Sequence, residues 1–75
     1  MAEITWLLLT YKVPADPAAK RVAIWRRLKS MGAVYLQNGV CLLPKTDDHT
    51  RRLKMVENEV AEAKGDSVLL ETVAL

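Results

Sequence analysis

Hydrophobic and polar positions divide the chain into six segments, and the first is an apolar run near the amino terminus. Residues 3–13, EITWLLLTYKV, are rich in β-formers and stop before Pro14, which predicts a strand. Alternation places Ile4, Trp6 and Leu8 on one face and Leu7, Leu9, Tyr11 and Val13 on the other. Because both faces are apolar, we expect a central strand that is covered on both sides.

A helix is predicted after this strand. Asp16 provides an N-cap acceptor and Pro17 the first helical position, and the helix runs to about Met31 and stops at Gly32. Spacings of three and four residues predict an apolar face that comprises Val22, Ile24, Trp25, Leu28 and Met31. Arg21 lies on this apolar arc near the start of the helix, so we expect its head group to point at the end of the first strand.

A β-hairpin is predicted next. The runs AVYLQ and VCLLP flank Asn38-Gly39, the dipeptide preferred in type I′ turns, and Pro44 ends the second run. A second helix is predicted at roughly 47–64, capped by Thr46, Asp47 or Asp48 and ended by Gly65. The last ten residues, DSVLLETVAL, read as a strand.

The order of these elements is strand, helix, two hairpin strands, helix, strand. Right-handed crossovers then give a ferredoxin-like βαββαβ α+β sandwich, with a four-stranded antiparallel sheet, the first and third strands in its centre and two helices on one face. The other face keeps Trp6, Leu8 and the run 40–43 uncovered. Burial of these residues between two copies predicts a homodimer through the sheet.

Composition fits a single small domain over residues 1–75, with 51% apolar residues and a net charge of +2. A chain this short buries only about 60% of its unfolded surface, which also favours a partner. One cysteine excludes a disulfide framework and suits a reducing cytoplasm. The first residues have neither a basic segment nor an apolar run long enough for a signal peptide or a membrane span, so we expect a soluble, cytoplasmic protein.

Parts for catalysis are missing from the sequence. His49, the single histidine, stands beside Asp47 and Asp48 at a helix start, where neighbouring side chains diverge, so a helix cap is favoured over a metal site. Cys41 lies in an apolar strand and is interpreted as an inert small hydrophobe. Without a phosphate-binding loop or a nucleophile motif, we predict no enzymatic activity, no cofactor and no metal.

The first helix is basic, and no acidic residue follows its predicted cap. Its cationic residues are Lys20, Arg21, Arg26, Arg27 and Lys29. They form either a solvated outer face or a surface that contacts a phosphate backbone with salt-sensitive affinity. The second helix also begins with basic residues, Arg51, Arg52 and Lys54, which either extend this surface or balance the glutamates that follow.

Residues 6–44, WLLLTYKVPADPAAKRVAIWRRLKSMGAVYLQNGVCLLP, closely resemble the N-terminal domain of ChrB-type chromate-resistance proteins. The shared features are a tryptophan in the first strand, a P…P corner, an R-V-x-x-W-R-x-L helix, GA-x-x-L and an LP ending. The resemblance implies a bacterial cytoplasmic protein, proposed as a chromate-responsive transcriptional regulator, in which a longer C-terminal domain follows. If sensing resides in that C-terminal part, the N-terminal domain would supply DNA contact or dimerisation.

On this interpretation Arg21, Arg26, Arg27 and Lys29 are the candidates for anion contact. The anion would be a DNA phosphate or chromate, a tetrahedral dianion with similar hydrogen-bonding demands. For Arg21, a salt bridge to Asp16 or hydrogen bonds to loop carbonyls compete with ligand contact. The alternative from another class is a purely structural dimerisation module without a ligand.

A more distant similarity links the layout to the small nucleases of CRISPR adaptation and to the C-terminal part of phenylacetate-type repressors. In the nucleases an aspartate follows a tyrosine at the end of the first strand, and two copies can hold a divalent ion. Here Lys12 follows Tyr11, and an ammonium repels a hard cation. Asp16, the nearest acid, is better used as the helix cap, so a metal-dependent nuclease is disfavoured.

Overall fold

The computed structural model describes residues 4–14 and 18–73, which contain six elements. They are β1 (Thr5–Lys12), α1 (Ala18–Ser30), β2 (Val34–Gln37), β3 (Val40–Pro44), α2 (Asp47–Glu62) and β4 (Asp66–Val73). The order matches the predicted one, and each predicted boundary in the described part agrees within about two residues, as expected for helix and strand ends.

The four strands form one antiparallel sheet in the order β2-β3-β1-β4. β1 and β3 are therefore central, and the ferredoxin-like prediction is confirmed. Leu8 pairs with Leu42 on β3 and with Leu70 on β4, which fixes the register across the centre of the sheet. Because directly paired residues point to the same face, this register also decides which side chains lie together on each side.

The core lies between the two helices and one face of the sheet. β1 contributes Leu7 and Leu9, which pair with Leu43 and Cys41 of β3. The fully buried side chains are Leu9, Ile24, Leu28, Leu43, Leu53, Val56, Val60 and Cys41. The expectation that β1 is covered on both sides is thus met on one side only, because both helices pack on the same face.

α1 packs on the core through a narrower strip than predicted. Ile24 and Leu28 are buried, whereas Val22 and Trp25 are 42% and 47% exposed. The predicted apolar face is therefore wrong for Val22 and Trp25, which do not pack against the sheet. The predicted cap at Asp16 and Pro17 lies outside the described residues.

The hairpin between β2 and β3 forms at Asn38-Gly39 as predicted, but its turn is not type I′. Among the described residues only Gly32, Gly39 and Lys64 have positive φ, so Asn38 lacks the left-handed conformation that a type I′ turn requires. A register shift between Tyr35 and Gln37 accompanies the turn. Such a bulge supplies additional strand twist without a second residue of positive φ.

Thr46 is the N-cap of α2 among the three predicted candidates. Its Oγ1 accepts a hydrogen bond from the His49 backbone N–H at 2.9 Å. Beyond the other end of the helix, Gly65 lies directly against β1, where an added Cβ would collide with the Lys12 carbonyl oxygen. Close packing of the α2–β4 connection therefore requires glycine.

Candidate functional site

The sheet face that carries no helix is apolar over all four strands. Its members, assigned by register and alternation, are Trp6, Leu8 and Thr10 of β1, Val34 and Leu36 of β2, Val40 and Leu42 of β3, and Val68, Leu70 and Thr72 of β4. We call these ten residues the open face. An open cavity of about 350 Å³ lies toward the Trp6 end of this side of the sheet, lined by Trp6, Leu8, Leu36, Leu42, Thr72 and Val73.

No residue of the open face is charged, and its members on the edge strands β2 and β4 are exposed, whereas those on β1 and β3 are half-buried. Leu36 is 59% exposed, Val68 is 52% exposed and Leu70 is 50% exposed. In the described strands, charge appears on this side of the sheet only at one end, where Lys12 and Asp66 pair directly, whereas Glu71 of β4 pairs with Leu7 and belongs to the helix side. The prediction that the whole run 40–43 faces outward is wrong, because Cys41 and Leu43 point to the helices and are buried.

The four predicted anion-contact residues do not form one cluster. Arg26 and Lys29 are exposed on the outer side of α1, and the Lys29 ammonium lies 5.9 Å from the centre of the Trp25 ring. Arg27 instead reaches α2, where its guanidinium is 2.6 Å from the Glu59 carboxylate. In residues 4–14 and 18–73, neither Arg26 nor Lys29 forms a salt bridge.

Arg21, the fourth candidate, is exposed in the first turn of α1. Burial raises the pKa of Tyr11, and the nearby Arg21 charge opposes that shift by favouring the phenolate. Its proposed partner Asp16 is outside the described residues. On α1, Arg21 precedes the outer pair Arg26 and Lys29 by more than one turn.

A cleft between α1 and α2 gathers basic residues of both helices, a combination that the sequence left as one of two options. Its volume is about 280 Å³, and it is lined by Arg27, Ser30, Met31, Arg51, Arg52 and Met55. We call it the interhelical cleft. The basic start of α2 was visible in the sequence, but its juxtaposition with Arg27 depends on how the two helices pack, which helical periodicity does not reveal.

Two tyrosines form a hydrogen-bonded pair beside Cys41 on the helix side of the sheet. The Tyr11 and Tyr35 hydroxyl oxygens are 2.6 Å apart. Burial and this hydrogen bond both raise the pKa of Tyr35, and burial raises the pKa of the Cys41 thiol to about 11. These groups are neutral at pH 7 and suited to packing rather than to nucleophilic attack.

His49 is used locally at the start of α2. Its Nδ1 lies 2.8 Å from the Pro44 carbonyl oxygen, and its backbone N–H donates to the Thr46 cap. Within the described ranges, no three His, Cys, Asp or Glu side chains gather closely enough to hold a metal ion. The same ranges contain no helix with the length and apolarity that crossing a membrane requires.

Comparison with known proteins gives a family. The family model described as "Protein ChrB, N-terminal" matches residues 21–75. Protein ChrB of Cupriavidus metallidurans (strain ATCC 43123 / DSM 2839 / NBRC 102507 / CH34) is 31% identical over 72 residues, which cover 96% of this chain and 22% of that protein. The chain thus spans about a fifth of the length of this curated relative. Both findings confirm the resemblance seen in residues 6–44, and the chain belongs to the family of ChrB N-terminal domains.

Proposed function

We propose that this domain is the assembly domain of a cytoplasmic chromate-resistance regulator, and that it pairs with a second copy through the open face. The observation that carries the proposal is the absence of charge over ten residues of four strands, several of them at least half exposed. Large uncharged patches of this kind mark interaction sites in soluble proteins. The proposed role is binding and assembly rather than catalysis.

A second copy fits the open face because the surface is complementary to itself. Two such sheets stack at about 10 Å when their apolar side chains interdigitate. An isologous dimer brings the same patch from both copies together, so no other apolar partner is needed. Stacking would also place both helix layers on the outside of the dimer.

Leu70→Glu tests this dimer. Leu70 is 50% exposed at the centre of β4, so glutamate is tolerated in the monomer but places two carboxylates in the stacked interface. We expect the wild-type domain to be a dimer at micromolar concentration in size-exclusion chromatography with light scattering. The variant should be a monomer with an unchanged circular dichroism spectrum.

Val22→Glu is the matched control. Val22 is 42% exposed on α1, away from the open face, so the same charge should leave the dimer intact. A wild-type monomer over the same concentration range would contradict the proposal. The proposal would also be contradicted if Leu70→Glu and Val22→Glu reduced the dimer fraction equally.

A second candidate role is contact with DNA phosphate through the outer side of α1. Arg26 and Lys29 support it, since both are exposed and neither forms a salt bridge in the part of the chain that the structure describes. Trp25 adds an exposed aromatic ring beside Lys29. In the stacked dimer, the two such surfaces would face outward on opposite sides, so each would contact its own stretch of duplex, with chromate as a competing tetrahedral anion.

Fluorescence anisotropy with labelled duplex DNA tests this role. Binding at about 50 mM salt should collapse at about 200 mM, and an Arg26→Ala/Lys29→Ala variant should bind more weakly with a flatter salt dependence. Lys12→Ala/Lys54→Ala removes the same charge elsewhere and should change binding much less. Equal effects of the two double variants, or no binding at low salt, would argue against a phosphate surface on α1. Chromate displacing the duplex would assign the surface to small anions too.

A further inference from the structure

We infer that the interhelical cleft is a phosphate-binding site in which Arg27, Arg51 and Arg52 hold the anion. The inference goes beyond the proposed dimer and the outer side of α1, because it requires neither the open face nor Arg26 and Lys29. It assigns a ligand to the basic start of α2, which the sequence left either as an extension of a basic surface or as balance for glutamates.

The arginines reach the cleft from two different helices. Arg27 belongs to the second half of α1, and Arg51 and Arg52 belong to the second turn of α2. All three have partly exposed side chains, with Arg51 the most exposed at 73%. Convergence of guanidinium groups from separate elements gives a fixed geometry that a basic run on one helix does not have.

The cations of the cleft outnumber the acids that neutralise them. Asp48 serves two arginines, at 2.6 Å from Arg51 and 3.1 Å from Arg52, and Glu59 serves Arg27 at 2.6 Å. Exposed ion pairs of this kind are weak, so they are exchanged readily. An anion that accepts hydrogen bonds from two or three guanidinium groups at once could replace these ion pairs. Its negative charge would neutralise the excess positive charge of the arginines.

Phosphate matches the donors of the cleft. A planar guanidinium donates two parallel hydrogen bonds to oxygens of one phosphate, and these charge-assisted bonds are stronger than neutral ones. The volume of about 280 Å³ exceeds what a bare oxyanion fills, and Met31 and Met55 provide apolar walls beside the arginines. The site therefore has room for an organic group attached to the phosphate, such as the sugar of a nucleotide or of a nucleic-acid backbone.

Titration of the full chain with inorganic phosphate at low ionic strength, followed by calorimetry, tests the site. We expect saturable binding with a Kd of about 1 mM or below. Arg51→Ala/Arg52→Ala should weaken it at least about tenfold, because two charge-assisted donors are lost. Lys12→Ala/Lys54→Ala removes two charges outside the cleft and should change the Kd by less than about twofold, since screened exposed charges act weakly.

Two further variants separate a site from general attraction. Arg51→Lys/Arg52→Lys keeps the charge but removes the forked donors, so it should still weaken phosphate binding severalfold. Asp48→Asn releases both arginines from their carboxylate and should tighten binding roughly threefold or more. A merely structural role of these residues predicts no such gain.

The source of the phosphate is decided by the same variants with labelled duplex DNA. If Arg51→Ala/Arg52→Ala weakens duplex and phosphate binding in parallel, the cleft takes a backbone phosphate; if only phosphate binding falls, it takes a free phosphate compound. The inference is overturned if inorganic phosphate does not saturate, or if the Lys12/Lys54 variant loses as much affinity as the Arg51/Arg52 variant. Since the α1 surface is tested by Arg26 and Lys29, either proposal can fail alone.

Discussion

Cys41 is a free cysteine that belongs to the buried hydrophobic core. It lies on the helix side of β3, opposite Leu9 and Tyr35, and is 1% exposed. A free cysteine in an apolar strand is typically inert, and its burial here, with a pKa raised to about 11, agrees with that prediction. The adjacent Tyr11–Tyr35 hydrogen bond was not predicted. β1 and β2 are not neighbouring strands, so the two side chains reach each other across β3, and this depends on the strand order and register.

The buried thiol predicts a loss of stability in alkali. Below about pH 9 the thiol is neutral in both states, but between pH 9 and about 11 the unfolded chain releases the proton while the folded chain keeps it. The free energy of unfolding should therefore fall by about 2–3 kcal/mol over this range from the thiol alone. Urea unfolding at a series of pH values measures the fall.

Cys41→Ala is the comparison for that series. It removes the ionisable group, so its free energy of unfolding should decline less steeply above pH 9, and the remaining slope belongs to Tyr11 and Tyr35, whose pKa values are raised too. Parallel curves for the two proteins would show that the thiol is not the source.

Among the elements, α1 shows where helical periodicity stops being informative. The pattern correctly placed Ile24 and Leu28 in the core, but it included Val22 and Trp25, which are exposed. Periodicity identifies the residues that share one side of a helix, whereas the width of the covered strip depends on how the helix lies on the sheet. The same limit applies to the interhelical cleft, whose arginines meet only through packing of α1 beside α2.

The connection between α2 and β4 packs so closely against β1 that a single added methyl group should destabilise the fold. Gly65→Ala places a methyl group against the Lys12 carbonyl oxygen at the end of β1. Because this oxygen belongs to the backbone, the clash can be relieved only if the α2–β4 connection shifts. We expect a loss of about 2 kcal/mol or more in the free energy of unfolding, measured with urea.

Gly32→Ala is an informative partner for this variant. Gly32 has a φ of +86°, but an added Cβ would meet no atom within 4 Å. Its cost is limited to left-handed backbone strain, about 1–2 kcal/mol. A smaller effect at Gly65 than at Gly32 would contradict the close contact between α2–β4 and β1.

For the whole molecule, the order of six elements was enough to predict the topology, since few connections satisfy short loops and right-handed crossovers. The uncharged open face followed from alternation once β1 and β3 were placed in the centre. Its extent onto β2 could not be derived from the hairpin sequence, because the bulge near Leu36 shifts the register there.

The open face predicts that thermal stability depends on protein concentration. If unfolding is coupled to dissociation of the stacked dimer, each tenfold increase in concentration should raise the Tm by about 3–5 °C. Leu70→Glu should abolish this dependence, while Val22→Glu should retain it. Differential scanning calorimetry measures the shift, and a wild-type Tm that is constant over a hundredfold range would contradict a coupled dimer.

The two edges of the sheet differ in a way that bears on polymerisation. β2 at one edge has four residues and a bulge, which discourages further strand pairing. β4 at the other edge has eight residues, and in the described part of the chain it pairs only with β1, so its outer backbone groups remain available. In the proposed stacked pair each copy would keep one such edge, so we expect any fibrils of the destabilised or concentrated domain to grow through β4.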